Sequence, residues 1–326
     1  MNFLLTGGAG YIGSHAVLSL LDAGHNVHII DDLSTGNKSL IPKNAFFTKC
    51  NINDEEVISE LIKSNSFDLL MHFAGFIQVE ESVKYPQKYF DNNTENATKL
   101  FETCKNNGLN KIVFSSTAAA YGSVSENKLI DENTNLNPQN PYAESKIKTE
   151  NFLFENKDDY KFIILRYFNV AGADKKLRSG QISKRSTHLI KILSEVVVGK
   201  RDHIKIFGND YNTADGTAIR DYIHVSDLAD IHLEAKYLLE SSESNLFNCG
   251  YGNGFSVLDV INTANNTSED KIDYKFANRR DGDVEQLIAD TSKILKHIDW
   301  KPKYNDLSEI IHSSIKWEEK IYESNT

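Results

Sequence analysis

The sequence predicts an α/β fold, a Rossmann-type doubly wound parallel sheet with a smaller mixed α/β domain attached. Three observations point there. Short β-type runs alternate with polar or amphipathic stretches through the first half, a glycine-rich loop follows the first of those runs, and the alternation fades after about residue 170. At 326 residues the chain is long enough for one large domain and a smaller one.

The runs, in order, are NFLLT, NVHIIDD, AFFTKC, DLLMHFAG, KIVFSS and KFIILRYF, and each reads as a strand of one parallel sheet. They assign residues 1–170 to the first domain and 171–326 to the second. Beyond Asn169 come a polar stretch, Ala173 to Thr187, and a turn-rich segment, Gly208 to Gly216. The apolar run LFNCG from Leu246 is expected to return a strand to the first domain, so that part of 219–250 rejoins it. The tail from Glu323 reads as frayed.

A formal net charge of −10 argues against a general binder of nucleic acid or of a membrane surface, since an acidic protein field repels both polyanions. Any anionic ligand must find a local cationic pocket. Cys50, Cys104 and Cys249 have no CxxC spacing, which fits a reducing compartment and supports neither a disulfide framework nor a zinc site; no metal is expected. The N-terminal MNFLLTGG lacks a basic targeting region, and no later run approaches the roughly 20 apolar residues of a membrane span. The expectation is a cytoplasmic protein, mature from Met1.

Thr6-Gly7-Gly8-Ala9-Gly10-Tyr11-Ile12-Gly13 follows the first strand and opens a helix. The spacing is GxxGxxG, and it supplies a tight turn, a backbone free to touch a pyrophosphate, and a helix N-terminus directed at that anion. Asp31 ends the second strand about 20 residues further on, where a carboxylate accepts the ribose hydroxyls of NAD and repels the extra phosphate of NADP. Asp32 competes for the same role.

Pro141-Tyr142-Ala143-Glu144-Ser145-Lys146 sets Tyr142 and Lys146 four apart, on one face of a helix. A phenol is a poor base at neutral pH, but an adjacent ammonium and a nicotinamide cation would both favour its phenolate. The strand KIVFSS runs into Ser115-Ser116-Thr117-Ala118-Ala119-Ala120-Tyr121-Gly122, at the sheet edge where open α/β folds bind ligands. There the hydroxyl of Thr117 could bond a substrate oxygen undergoing oxidation, or cap a helix.

With these motifs assembled, the chain resembles the extended short-chain dehydrogenase/reductase superfamily and, within it, the UDP-galactose 4-epimerase family over nearly its whole length. The segments that carry the resemblance are TGGAGYIGSH, HFAG, ESV, FSSTAAAYG, PYAESK, LRYFNVAGA, IFGNDYNTADGTAIRDYIHVSDLA and RRDGD. IFGNDY…DGT…RDYIHV is the most specific, because it lies in the substrate domain. The resemblance implies bound NAD, a homodimer and a UDP-hexose substrate, with Tyr142 as base, Lys146 as its electrostatic partner and Thr117 as the assisting hydroxyl.

It also implies cofactor contacts from Gly7, Gly10, Tyr11, Ile12 and Gly13, from Asp31 and Asp32, and from Asn51 and Ile52. Phe73, Ala74, Gly75, Asn92, Ser115 and Phe168 complete that set together with Tyr142 and Lys146. On the substrate side it implies Thr117, Tyr142, Asn169, Thr187, His188 and Leu189, then Lys205, Phe207, Arg220, Tyr222, Arg280, Asp283 and Leu287. Arginine suits a diphosphate, because its planar fork makes paired hydrogen bonds and stays charged. Arg280 beside Asp281 and Asp283 could equally be a solvated ion pair.

Ile77 stands where many members carry lysine, Asn51 replaces a common aspartate, and His188 stands where some relatives have asparagine. Leu287 replaces a tyrosine found in glucose/galactose-restricted relatives, which leaves room for UDP-GlcNAc. Ala118 and Ala119 occupy the positions at which sugar-nucleotide dehydratases carry an Asp-Glu pair, which argues against dehydration. A UDP-uronic acid epimerase or decarboxylase, and a non-catalytic NAD-sensing protein, are the alternatives.

Overall fold

The computed structural model describes residues 1–123, 129–183, 186–241, 244–266, 271–280 and 283–323. Its strands in chain order are β1 (Asn2–Thr6), β2 (Asn26–Ile30), β3 (Phe46–Thr48), β4 (Leu69–His72), β5 (Lys111–Thr117), β6 (Lys161–Tyr167) and β7 (Asn169–Ala171). After these come β8 (Ile204–Phe207), β9 (Ile219–His224), β10 (Asn245–Cys249), β11 (Gly254–Ser256), β12 (Tyr274–Ala277) and β13 (Gln286–Leu287). The helices of the first half are α1 (Tyr11–Asp22), α2 (Glu55–Ser64), α3 (Val79–Lys84), α4 (Pro86–Phe90), α5 (Ala97–Asn106) and α6 (Pro141–Glu155). Those of the second half are α7 (Leu189–Val197), α8 (Val225–Ser241), α9 (Val257–Asn265), α10 (Ser292–His297) and α11 (Leu307–Glu323).

Seven parallel strands form the main sheet in the order β10-β6-β5-β4-β1-β2-β3. The six runs read from the sequence are its first six strands, and LFNC enters as β10 beside β6. Alternate residues face opposite sides. Phe3, Leu5, Ile29, Met71 and Val113 pack with residues of α1 and α8, while Leu4, Ile30, Leu70, Ile112 and Phe114 pack with α2, α5 and α6. A parallel sheet covered on both faces is predominantly apolar on both, which is why these runs are largely continuous rather than alternating, with the buried polar exceptions such as His72 and Ser115 near the strand ends.

A separate core joins Ile190 and Leu193 of α7, Ile204 and Ile206 of β8, and Ile310 and Ile311 of α11. Two smaller sheets complete this lobe: β9 lies between β11 and β13 and also pairs with β7, and β8 pairs with β12. Helix α1 is strapped to the loop after β7. The Tyr11 hydroxyl donates to the Gly172 carbonyl at 2.6 Å, Ser14 and Ser179 share a hydroxyl contact at 2.6 Å, and Arg178 forks onto both Asp22 and Asp174.

Among the described residues, no helix is long and apolar enough to cross a membrane. Cys50, Cys104 and Cys249 are free thiols. Helix α11 continues through Glu323, and 324–326 lie outside the described residues.

Glu318 of α11 is 1% exposed and is shared by Lys191 and Lys200, tying α11 to α7. Replacing it with alanine leaves the buried Lys191 ammonium (6% exposed) short of its main counter-charge. Glu318→Ala is therefore expected to lower stability by about 3 kcal/mol in urea unfolding, and adding Lys191→Met is expected to restore much of the loss.

Candidate active site

The strand order reverses direction between β1 and β4, and the crevice at such a reversal is where open α/β sheets bind ligands. Thr6 Oγ1 and His72 Nδ1 join the two strands at 2.7 Å. The backbones beyond them are too close for side chains. A Cβ on Gly7, whose φ is +72°, would lie 2.5 Å from the Ala74 nitrogen, and one on Gly13 would lie 2.3 Å from the Gly7 carbonyl oxygen. Gly10 caps α1 without any side-chain hydrogen bond, so the helix presents its first N–H groups, including those of Tyr11 and Ile12, to the crevice. This cradle fits a pyrophosphate.

Asp31 lies beside it and is 8% exposed. Its carboxylate accepts from the Ala9 N–H at 3.0 Å and the Leu33 N–H at 2.8 Å, which only partly offset burial, so its pKa stays raised. Leu33 adopts φ +62°, a strained conformation for a branched side chain, and its N–H is one of the two that bind Asp31. Asp32 is directed elsewhere, accepting from Ser34 N and from Asn51 Nδ2 at 3.0 Å. An aspartate at 51 would set two carboxylates against each other, so the departure noted in the sequence has a local electrostatic reason. Ile52 is buried in the core under the sheet.

The second half of the site is built on β5 and α6. Asn140 accepts from Ala143 N at 2.9 Å and Pro141 opens the helix, so Tyr142 falls in its first turn. Thr117 Oγ1 accepts from Ala119 N at 3.1 Å, and its hydroxyl lies beside the Tyr142 phenol, whose pKa it draws down. Thr117 thus caps the turn that follows β5 and also stands beside Tyr142. Lys146, 3% exposed, donates to the Ser115 carbonyl at 2.9 Å and lies 4.9 Å above the Phe114 ring. A Cβ on Gly75 would lie 3.4 Å from Lys146 Nζ, so glycine keeps the loop after β4 close to the amine.

One expectation needs correcting. Burial raises the Tyr142 pKa above its ordinary value and Thr117 draws it back, while Lys146 is turned toward Ser115 and burial lowers its own pKa to about 8. The protein alone does not hold the phenol acidic.

On the opposite lobe, Arg220 of β9 pairs with Asp283 and donates to the Ile219 carbonyl at 2.8 Å. Arg280 lies flat on Phe207 at 3.8 Å, with its Nε 4.0 Å from Glu80. Asp283 thus serves Arg220, while Asp281 lies outside the described residues. Asn169 and Tyr222 are register partners on β7 and β9, and Leu287 pairs with Arg220. Thr187 and His188 are exposed just before Leu189 opens α7, and exposed Lys205 shares the β8 face with Phe207. Phe168 and Leu287 sit in a small apolar cluster with Ala118 and Tyr121, so the Leu287 side chain is also a core residue. The ring of Phe73 turns inward against His232.

The sequence reading named Asn92 but passed over Asn93, whose side chain bonds both backbone groups of Phe76 and the Ser145 hydroxyl. These asparagines occupy a π-helical turn, Asp91–Asn96, and the run DNNTEN of poor helix formers inside a helix was the available signal. Tyr89, edge-on to Tyr142 at 6.5 Å, carried no such signal.

The family model described as the NAD dependent epimerase/dehydratase family matches residues 3–250. A UDP-glucose 4-epimerase of Azospirillum brasilense is 44% identical over 324 residues, covering 98% of this chain and 93% of that protein. Among solved structures, a UDP-glucose-4-epimerase of Stenotrophomonas maltophila with bound NAD and formylated UDP-arabinopyranose superposes with a TM-score of 0.96 at 33% identity, over 99% of each chain. The UDP-Glc/GlcNAc 4-epimerase of Campylobacter jejuni superposes with a TM-score of 0.84 at 43% identity, covering 98% of this chain and 99% of that one.

Gly13→Ala drives a methyl group into the Gly7 carbonyl. Its affinity for NAD, read by calorimetry, is expected to fall about tenfold or more, a loss of about 1.4 kcal/mol per tenfold.

Proposed function

The chain belongs to the NAD dependent epimerase/dehydratase family, and from that premise we propose that it inverts C4 of a UDP-hexose, interconverting UDP-glucose and UDP-galactose through a transient 4-keto sugar. The observation that carries this reading is the meeting of Tyr142, Thr117 and Lys146 beside a glycine cradle, with Arg220 and Arg280 on the facing lobe.

When bound, NAD would be held by the Gly7–Gly13 cradle and Asp31 and would supply a reversible hydride acceptor whose positive charge favours the phenolate of Tyr142. Tyr142 takes the proton of the C4 hydroxyl and later returns it. Thr117, already oriented by the Ala119 N–H, holds the C4 oxygen during both transfers. Lys146 places a cation next to the strand that carries Thr117. Arg220 and Arg280 grip the diphosphate, so the hexose alone turns about its phosphate linkage and offers its other carbonyl face. They also explain how a chain of net charge −10 takes an anionic substrate.

Ala118 and Ala119 leave no acid or base for elimination, which disfavours a dehydratase. A homodimer and a cytoplasmic setting form part of the same proposal. The three free thiols suit a reducing compartment. Turnover of UDP-GlcNAc is a second reading, supported by the aliphatic Leu287 and by 43% identity to a relative named for both sugars.

Purified protein supplied with UDP-galactose, without added cofactor, is expected to form UDP-glucose. Tyr142→Phe is expected to cut kcat by about a hundredfold or more, and full turnover by that variant would remove the catalytic assignment. UDP-GlcNAc in a parallel reaction decides the second reading.

A further inference from the structure

Helix α6 carries Tyr142, Lys146 and, one turn beyond, a third ionisable side chain that the proposed reaction leaves unused. Glu150 is 1% exposed. Arg166 Nε of β6 donates to its Oε1 at 3.0 Å, a second guanidinium nitrogen bonds Oε2, and the Ser116 hydroxyl donates to Oε1. Arg166 lies 4.9 Å over the Tyr121 ring and keeps its remaining nitrogen, Nη1, buried without a partner. An ion pair in this setting adds little to stability over a well-packed apolar pair, because desolvating both charges offsets their attraction. Its location is more informative than its energy. Ser116 sits between Ser115, whose carbonyl accepts from the Lys146 ammonium, and Thr117, which stands beside Tyr142.

The groups that face Lys146 can be taken element by element. His72 of β4 is held neutral, with its pKa lowered to about 3 by burial, and it bonds Thr6. From β5 come the Ser115 carbonyl and the Phe114 ring, and the loop after β4 contributes Gly75 beside the Asn93 amide. Helix α6 itself offers the neutral phenol of Tyr142. Arg166 approaches from β6 but is matched to Glu150. Among these groups Glu150 is the one anion, and it opposes the effect of burial on the amine.

We propose that Glu150 is a positioning residue for the reaction: fixed by Arg166 and Ser116, its carboxylate keeps the Lys146 ammonium charged and ties the Ser115–Thr117 segment to α6. It touches no substrate and acts through Lys146. The inference rests on the assignment of Tyr142 and Lys146 given above.

Glu150→Gln keeps the shape and one accepting oxygen, replaces the other by an amide NH2 that cannot accept, and removes the charge. Lysine 13Cε NMR, with the Lys146 signal identified by its loss in Lys146→Met, reads the amine directly. The wild-type midpoint is expected near 8, and that of Glu150→Gln lower by about one pH unit or more. The alkaline limb of kcat is expected to move down with it, while KM for UDP-galactose stays close to wild type. Because Glu150→Gln strands the Arg166 charge, the double variant Glu150→Gln, Arg166→Gln is measured beside it and is expected to show a midpoint still below wild type, though less lowered than in the single variant. An unchanged Lys146 midpoint in the double variant, with a kcat loss uniform across pH, would reduce Glu150 to a structural ion pair and overturn the proposal. A wild-type protein inactive on UDP-galactose would instead overturn the reaction assigned above, and the NMR midpoint is read independently of that result.

Discussion

The hydrogen bond from the buried Lys146 ammonium to the Ser115 carbonyl is the contact on which the arrangement of the site depends. A charge removed from water must be held by something, and here one backbone carbonyl, an aromatic face and a distant carboxylate share the task. The bond fixes the spacing between α6 and β5, and Thr117 and Tyr142 meet across that same gap. The π turn at Asp91–Asn96 supports the other side: Thr94 and Thr149 link it to α6 through backbone carbonyls, and Asn93 reaches the loop after β4. The site is therefore held on rigid elements from two directions.

Electrostatics divides along the cleft. The cofactor side carries carboxylates whose partners are mostly backbone N–H groups and an amide, as at Asp31 and Asp32. The opposite lobe carries the arginines, and each already has an occupation within the protein: Arg220 with Asp283, and Arg280 with the Phe207 ring. On the proposed reading, a diphosphate bound there would exchange one set of partners for another, so its net gain would be smaller than bare charge counting suggests.

Much of this was legible in the sequence for a simple reason. The six strands announce themselves as unbroken apolar runs because both faces of a parallel sheet are covered, and the glycines at 7, 10 and 13 stand where backbones crowd. Tyr142 and Lys146 were found through helical spacing, which is local. What escaped was non-local. Asn93 was overshadowed by Asn92 because nothing in the sequence says which of two adjacent amides turns inward at a π turn. Glu150 and Arg166 are 16 residues apart and meet only because β6 lies next to β5. The acidity expected of Tyr142 assumed that a neighbouring ammonium points at the phenol, and spacing along a helix does not fix that direction.

The fastening of α1 to the loop after β7, through Tyr11, Ser14 and Arg178, bears on how stereochemistry is inverted. These bonds join the helix that opens the glycine cradle to the loop after β7, and so pin those two segments to each other. On the proposed reading the sugar turns over while this seam stays fastened, and because hydride can return to either face of the 4-keto carbon, both C4 epimers arise from one bound intermediate.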